Sequence, residues 1–168
     1  LKTPQGTIAE SNALMRYAAA VAGLEPEDLF VRGKVDEILE LIQGWRTDFT
    51  PTFRIEDLDE RIAARKALFV EGTKLDLGLK DLESLFNDST TGWLADTEDM
   101  TLADVKAFLN IFMMFSGQFD GIETSMAQAY PSLLKYHDKV ANDPRVKAYY
   151  DREDEYRWVF RPGAFDLE

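Results

Sequence analysis

The chain is predicted to be mainly α-helical, and three observations carry that prediction. Apolar residues recur at three- and four-residue spacings along most of its length. Val35, Ile38, Leu39 and Ile42 form one such set and Leu75, Leu79, Leu82 and Phe86 another, each falling on a single helix face. Breakers such as Gly23, Thr50-Pro51-Thr52 and Asn142-Asp143-Pro144 lie between those runs. Strand character is confined to Thr7-Ile8-Ala9.

The opening segment reads as a polar turn feeding a helix. Pro4-Gln5-Gly6 punctuates the chain, Thr7-Ile8-Ala9 forms one short strand, and Glu10-Ser11 opens an alanine-rich run that stops at Gly23. No partner for that strand is evident, and its backbone groups need one. A preceding segment is therefore expected, with at least one βαβ unit of about 30 or more residues. Leu1 begins no targeting signal, because neither a charged n-region nor an apolar h-region follows it. The helix start presents unpaired N–H groups and the positive end of a dipole. Ser11 adds a hydroxyl donor and Glu10 an acceptor for an ammonium, which suits an amino acid or a γ-glutamyl headgroup. The other reading makes Ser11 an N-cap and Glu10 a favourable first-turn charge.

After Gly23, Leu24-Glu25-Pro26-Glu27-Asp28 is a linker and a fresh helix start, with acids near the positive helix end. The run from Val35 is expected to end at Gly44-Trp45-Arg46. One long helix is expected from near Glu56 to Phe86, with Gly72 and Gly78 marking a bend or a close helix contact. The stretch from Asn87 to Gly92 has loop composition. Thr101 and Asp104 then make a capping box with Asp in the usual Glu position, flanked by Met100 and Val105 as a hydrophobic staple. Val105, Phe108, Leu109, Phe112 and Met113 give that helix a core face. Gly117 and Gly121 bracket a loop, Tyr130-Pro131 starts the next helix, and a short one follows Pro144. The tail from Tyr156 to Phe165 is aromatic and is expected to fold over a cleft or plug into a partner.

Composition narrows the function classes. The 168 residues suffice for one domain with a sizeable core, and 45% hydrophobic with 30% charged residues is globular composition. A formal net charge of −12 argues against a nucleic-acid surface. No apolar run approaches the roughly 20 residues of a membrane span. The chain has no cysteine, hence no disulfide, thiolate metal site or cysteine nucleophile. That is compatible with a reducing cytoplasm. His137, the single histidine, shares a face with Leu133 and Val140 and reads as a packed residue, so no metal site is expected. Asp57-Leu58-Asp59-Glu60 and the acids from Asp151 to Glu155 read as solvated faces.

Glu10-Ser11-Asn12-Ala13 followed by Arg16-Tyr17 resembles the end of the thioredoxin-like half of a glutathione transferase. The segment from Thr3 to Ala13 also resembles the same place in the elongation factor 1 gamma-subunit branch, which carries the fold in a largely structural role. Thr101-Leu102-Ala103-Asp104 before a buried helix, and Tyr130-Pro131-Ser132-Leu133-Leu134 followed by Asp143-Pro144-Arg145, resemble the transferase helical domain. Ser116-Gly117-Gln118-Phe119-Asp120-Gly121-Ile122 leans toward sigma-like members and away from the elongation-factor branch. The resemblance implies a remnant of the glutathione-binding domain over residues 1–23, a linker over 24–29, an all-α domain over 30–155 and an aromatic tail over 156–168.

It also implies roles. Glu10 and Ser11 would hold glutathione, the cosubstrate, and no other cofactor is called for. Glu40 lies near the place where family members offer an acid to glutathione held by a partner subunit, although Glu replaces the more usual Asp. Trp45 and Phe49, with Phe53, either line an apolar pocket for an electrophile or belong to the core. The thiol-activating Tyr, Ser or Cys of this family lies upstream of Leu1, so no residue here is catalytic. The implied function is conjugation of glutathione to a hydrophobic electrophile by a cytoplasmic homodimer. The alternative is a non-catalytic scaffold or assembly subunit of the same fold.

Overall fold

The structure, a computed structural model, describes residues 1–152 and 155–166. Glu153 and Asp154 of the acidic run and Leu167 and Glu168 lie outside the described residues, as does the Tyr156 side chain of the tail.

The chain opens with a two-stranded antiparallel hairpin. Strand β1 (Lys2–Thr3) pairs with β2 (Gly6–Thr7), Lys2 opposite Thr7 and Thr3 opposite Gly6. The Thr3 hydroxyl closes the turn, accepting from the Gln5 and Gly6 amides at 3.3 and 3.2 Å. This corrects the expectation of an unpartnered strand over Thr7-Ile8-Ala9. The strand covers Gly6–Thr7 and finds its partner four residues back, because Pro4-Gln5 is turn enough to reverse the chain. The pairing argument for an absent partner strand does not hold.

Helix α1 (Ser11–Val21) ends where Gly23 takes a φ of 71°, the left-handed position that closes helix ends. Helix α2 (Leu29–Phe49) starts at Asp28, whose carboxylate accepts from the amides of Phe30 and Val31 at 2.9 Å. It runs straight through Gly44-Trp45-Arg46, where a stop was expected. A mid-helix glycine costs only about 1 kcal/mol, and Trp45 and Phe49 extend the buried stripe of Val35, Ile38 and Ile42 by two more turns. A 3-10 turn over Thr50–Arg54 follows without a gap.

The single long helix expected from Glu56 to Phe86 is two: α3 (Leu58–Ala67) and α4 (Lys74–Asp88). Gly72 stands at φ 83° between them, and Thr73 caps α4 by accepting from the Asp76 amide. The Asp76 carboxylate in turn accepts from the Gly72 amide at 2.9 Å and from the Tyr130 hydroxyl at 3.2 Å. Local capping outweighed the continuous periodicity. Gly78 marks a close contact, since a Cβ there would lie 2.9 Å from Trp45 Cε3. Asn87 and Asp88 belong to α4, so the loop begins at Ser89 rather than Asn87.

Helix α5 (Leu102–Met114) is the central element, flanked by α6 (Pro131–Ala141) and α7 (Pro144–Tyr150). Ile42, Leu79, Leu82, Phe112 and Tyr136 are wholly buried between α2, α4, α5 and α6. Val159, Phe160 and Phe165 of the tail fold back onto this core. Phe160 meets Phe108 at 5.3 Å and Phe165 meets Phe112 at 5.3 Å between ring centroids. His137 is buried beneath them, its Nε2–H donating to the Val159 carbonyl at 2.8 Å. Among the described residues, no helix is long and apolar enough to cross a membrane, and no cluster of His, Cys, Asp or Glu is arranged to hold a metal ion.

Candidate functional site

The start of α1 is open. Its N-cap is Glu10, not Ser11, and Ser11 is the first helical residue. Glu10 stands at φ 69°, ψ 128°, a backbone region that side-chain-bearing residues rarely adopt. Such geometry costs of order 1–3 kcal/mol and concentrates at ligand clamps. Both residues are exposed, and neither side chain has a hydrogen-bond partner among the described residues. The first intrahelical bond runs from the Leu14 amide to the Glu10 carbonyl, which leaves the amides of the first turn pointing outward. Donors and dipole together favour an anionic group there.

Glu40 is exposed on α2, and its carboxylate lies 3.9 Å from Arg16 of α1. The closer partner is Asp36, one turn earlier, which accepts from Arg16 Nη2 at 2.8 Å and Nε at 3.0 Å. Asp36 went unremarked in the sequence, although its four-residue spacing from Glu40 places both acids on one strip of α2. No hydrogen bond or ion pair among the described residues joins Glu10 or Ser11 to Glu40.

Trp45 and Phe49 are core residues, 1% and 8% exposed. Their outer edges also line a cleft of about 210 Å³ between α2 and α5, with Phe53, Met113 and Phe119. Phe49, Phe53 and Phe119 meet edge-on, with centroids 5.1 to 5.8 Å apart. Behind them sits Arg65, 3% exposed, its guanidinium carbon 5.2 Å from the Phe53 ring and 5.7 Å from that of Phe119. Arg65 also donates to the Thr52 hydroxyl and the Asp120 carbonyl, both at 3.2 Å. A desolvated cation over aromatic faces contributes about 2 kcal/mol, so Arg65 fixes this aromatic wall. Nothing in the sequence marked Arg65 as buried; its cage is drawn from three separate segments.

The polar lining of this region is contributed by Arg46, Thr50 and Asn110. Arg46 also lines an adjoining cleft of about 330 Å³ with Gln43, Thr50 and Arg54. Lys106 lies on α5 one turn before Asn110, whose side-chain amide donates to the Lys106 carbonyl at 2.8 Å. Burial depresses the Lys106 ammonium below the usual lysine range, and the Arg46 and Arg16 guanidiniums depress it further. Sequence reasoning missed Arg46, Lys106 and Asn110. The signal was Lys106 and Asn110, polar residues one turn apart on a helix whose other polar side chain is Asp104.

Thr101 and Asp104 are remote from solvent. Asp104 is wholly buried and accepts from the Thr101 amide and hydroxyl and from the Leu94 amide, each at 2.9 Å, and from the Tyr136 hydroxyl at 3.3 Å. Burial raises its carboxyl pKa, and the four donors offset part of that rise.

Residues 44–153 match the family model for the glutathione S-transferase C-terminal domain. The structure of prostaglandin synthase D of Nilaparvata lugens superposes with a TM-score of 0.75 at 18% identity, over 92% of this chain and 73% of that one. Rat hPGDS complexed with a quinoline gives 0.73 at 18% identity, over 92% and 72%. A protein named NaGST1 gives 0.68 at 19% identity, over 89% and 71%. No curated protein sequence matches. At such identities the likeness to solved structures is one of fold, while the family match spans more than half of the chain on helices stacked as in those structures. The chain belongs to the glutathione S-transferase C-terminal domain family.

Proposed function

We propose that this chain holds glutathione at the start of α1 and, joined to an N-terminal thiol-activating part, conjugates it to a hydrophobic electrophile. The observation that carries this reading is the open helix mouth. There Glu10 stands in a strained backbone conformation, the Ser11 hydroxyl is unpartnered among the described residues, and the first-turn amides face outward. A γ-glutamyl carboxylate would accept from the amides and the Ser11 hydroxyl, and its ammonium would donate to Glu10. The Trp45–Phe49 cleft would take the electrophile. Thiolate formation needs a donor beside the sulfur, expected upstream of Leu1, so the role of this chain is to hold substrates. The cytoplasm, where glutathione is abundant, is the proposed setting.

The test is calorimetric titration of the full-length protein with glutathione, followed by turnover of 1-chloro-2,4-dinitrobenzene. Ser11→Ala should weaken glutathione by about 1–3 kcal/mol, roughly 5- to 150-fold. Equal affinity in parent and variant would remove Ser11 from the site.

A second reading, an assembly module with no turnover, is favoured by one observation. Val21, Leu29 and Phe30 are 74–79% exposed beside the α1–α2 connection. Apolar surface gathered in this way invites association, with a second copy as the default occupant. Sedimentation velocity of Phe30→Asp against the parent tests this surface, and turnover of 1-chloro-2,4-dinitrobenzene by the assembled full-length protein separates the two readings. A protein that stays assembled in that variant, or is a monomer throughout, removes this surface from consideration.

A further inference from the structure

Helices α2 and α4 lie side by side and antiparallel, so that Gly44 faces Lys74 at one end and Lys34 shares a hollow with Asp88 at the other. Two hollows of about 530 and 330 Å³ open between them and share Leu41 and Asp81 as lining, which makes them one groove. On α2 it runs from Lys34 to Trp45, about 17 Å of helix. Its floor is apolar. Leu41 and Leu85 are half-buried there, Leu77 is 50% exposed, and Gly44 and Gly78 bring no side chain to fill the space. Its rim is acidic, with Glu37 and Glu40 on α2 and Asp81 and Asp88 on α4, all exposed. Lys34 pairs with Glu37, and Glu40 lies 3.9 Å from Arg16. Lys74, the other lysine of the groove, donates to the Thr47 hydroxyl at 3.4 Å. Among the described residues, Asp81 and Asp88 have no cation within salt-bridge distance, whereas Asp76 on the same helix is held by Lys80 at 3.0 Å.

We infer that this groove docks a basic amphipathic helix of a partner protein, with apolar side chains seated on Leu41, Leu77 and Leu85 and lysines or arginines set against Asp81, Asp88 and Glu40. A trough between two packed helices accepts a third through apolar anchors at i, i+3, i+4 and i+7. Charge selects the occupant. The groove carries four acids against two lysines, in a chain of formal net charge −12, so its field draws cations toward it. A second copy of the chain fits poorly. The two-fold contact of a homodimer sets one patch against itself, and here that would bring acid to acid. The inference is separate from glutathione binding at the start of α1 and from the exposed surface of Val21, Leu29 and Phe30.

The experiment uses three synthetic peptides of about 14 residues, long enough to fill the groove as a helix. One carries leucines on a single helix face with lysines flanking them. The second has those lysines replaced by glutamate, and the third scrambles the first so that its leucines share no face. Binding to the full-length protein is followed by fluorescence anisotropy, with sedimentation velocity of the unliganded protein alongside. The basic peptide should bind about tenfold more tightly than the other two, and less so as salt is added. Asp81→Lys combined with Asp88→Lys should reverse the choice between basic and acidic peptides. Leu77→Gln should weaken the basic peptide several-fold. Asp59→Lys with Glu60→Lys, the same change of charge on α3 outside the groove, should leave the preference in place. All of these positions are exposed, and substitutions there leave the fold intact. Equal binding of the basic peptide and its scrambled twin, a preference that persists when Asp81 and Asp88 are reversed, or one lost equally in the α3 variant overturns the inference. So does an unliganded dimer that Leu77→Gln dissociates, since a second copy then occupies the groove.

Discussion

Asp104→Ala should destabilise the protein more than any single loss of side-chain contact on the surface. The carboxylate is wholly buried and accepts from four donors. Two of these, the Leu94 and Thr101 amides, are fixed in place and would be left without a partner at about 1–3 kcal/mol each. The Thr101 hydroxyl can rotate, and the Tyr136 hydroxyl keeps the Asp104 backbone carbonyl at 3.1 Å, so neither adds much. The Thr101 amide bond is also the Asp104 half of the α5 capping box, so loss of the cap is already counted there. Against these stands relief from burying a carboxylate, which raises its pKa and costs several kcal/mol at full burial. The net is a loss of about 2 kcal/mol. For a chain of this size that lowers the melting temperature by roughly 4–8 °C. Urea unfolding followed by far-UV circular dichroism measures it, with Trp93 fluorescence reporting locally because Leu94 is its neighbour. Asp104→Asn keeps one acceptor but aims an NH2 group at the other amide, so it should recover only part of the loss. A loss below about 1 kcal/mol for the alanine variant, at unchanged denaturant slope, would refute the reasoning, since the amides would then be satisfied without the carboxylate.

Three further outcomes are expected. Gly78→Ala gains about 1 kcal/mol of helix propensity, but its Cβ would lie 2.9 Å from Trp45 Cε3. Overpacking of that kind costs about 1–3 kcal/mol, so the variant should be neutral to moderately destabilised by chemical denaturation, with altered tryptophan emission. Gly121→Ala should be plainly destabilising by the same assay, because Gly121 stands at φ 81° and its Cβ would lie 3.0 Å from the backbone of Ile62. Stability should fall in two stages on acidification, as followed by thermal melts across pH. Burial lowers the His137 pKa, so the unfolded chain binds the extra proton first and stability declines below about pH 6.5. Asp99 and Asp143 are depressed by Arg145, and Asp76 by the Gly72 amide, Lys80 and Tyr130 acting against burial. Their contribution is present above about pH 4 and is lost as pH falls through their depressed values. Asp104 runs the other way, its raised pKa contributing most at low pH. A flat profile between about pH 7 and 5 would remove His137 from this account.

Helix identity was legible wherever apolar spacing and a breaker agreed. The Gly23 stop, the Pro131 and Pro144 starts and the Thr101–Asp104 box all rest on residues within a turn or two of each other, where local hydrogen bonds decide. The Gly44 stop and the unbroken helix from Glu56 to Phe86 failed at glycines. A glycine is permitted in a helix interior and at a left-handed break alike, and neighbouring packing selects between them. At Gly44 the buried Trp45 and Phe49 carry the helix on; at Gly72 the Thr73 cap and the Asp76 carboxylate end it. The candidate site divides along the same line. Glu10 and Ser11 form a local motif, readable as a helix mouth, although which of the two is the cap was not.

The amino-acid order alone determined that apolar stripes of helical period would bury against one another, that α1 stops at Gly23 and two later helices start at Pro131 and Pro144, and that a chain this acidic makes a poor nucleic-acid surface. Those are consequences of neighbours along the chain, whose interactions are present before any long-range contact forms. Tertiary structure alone decided that Arg65 is enclosed by three phenylalanines, that Arg16 chooses Asp36 over Glu40, and that Arg46 borders an aromatic cleft with no carboxylate within salt-bridge distance among the described residues. Each joins residues from different helices or turns, and their charges acquire a partner, or lack one, only once the helices have packed.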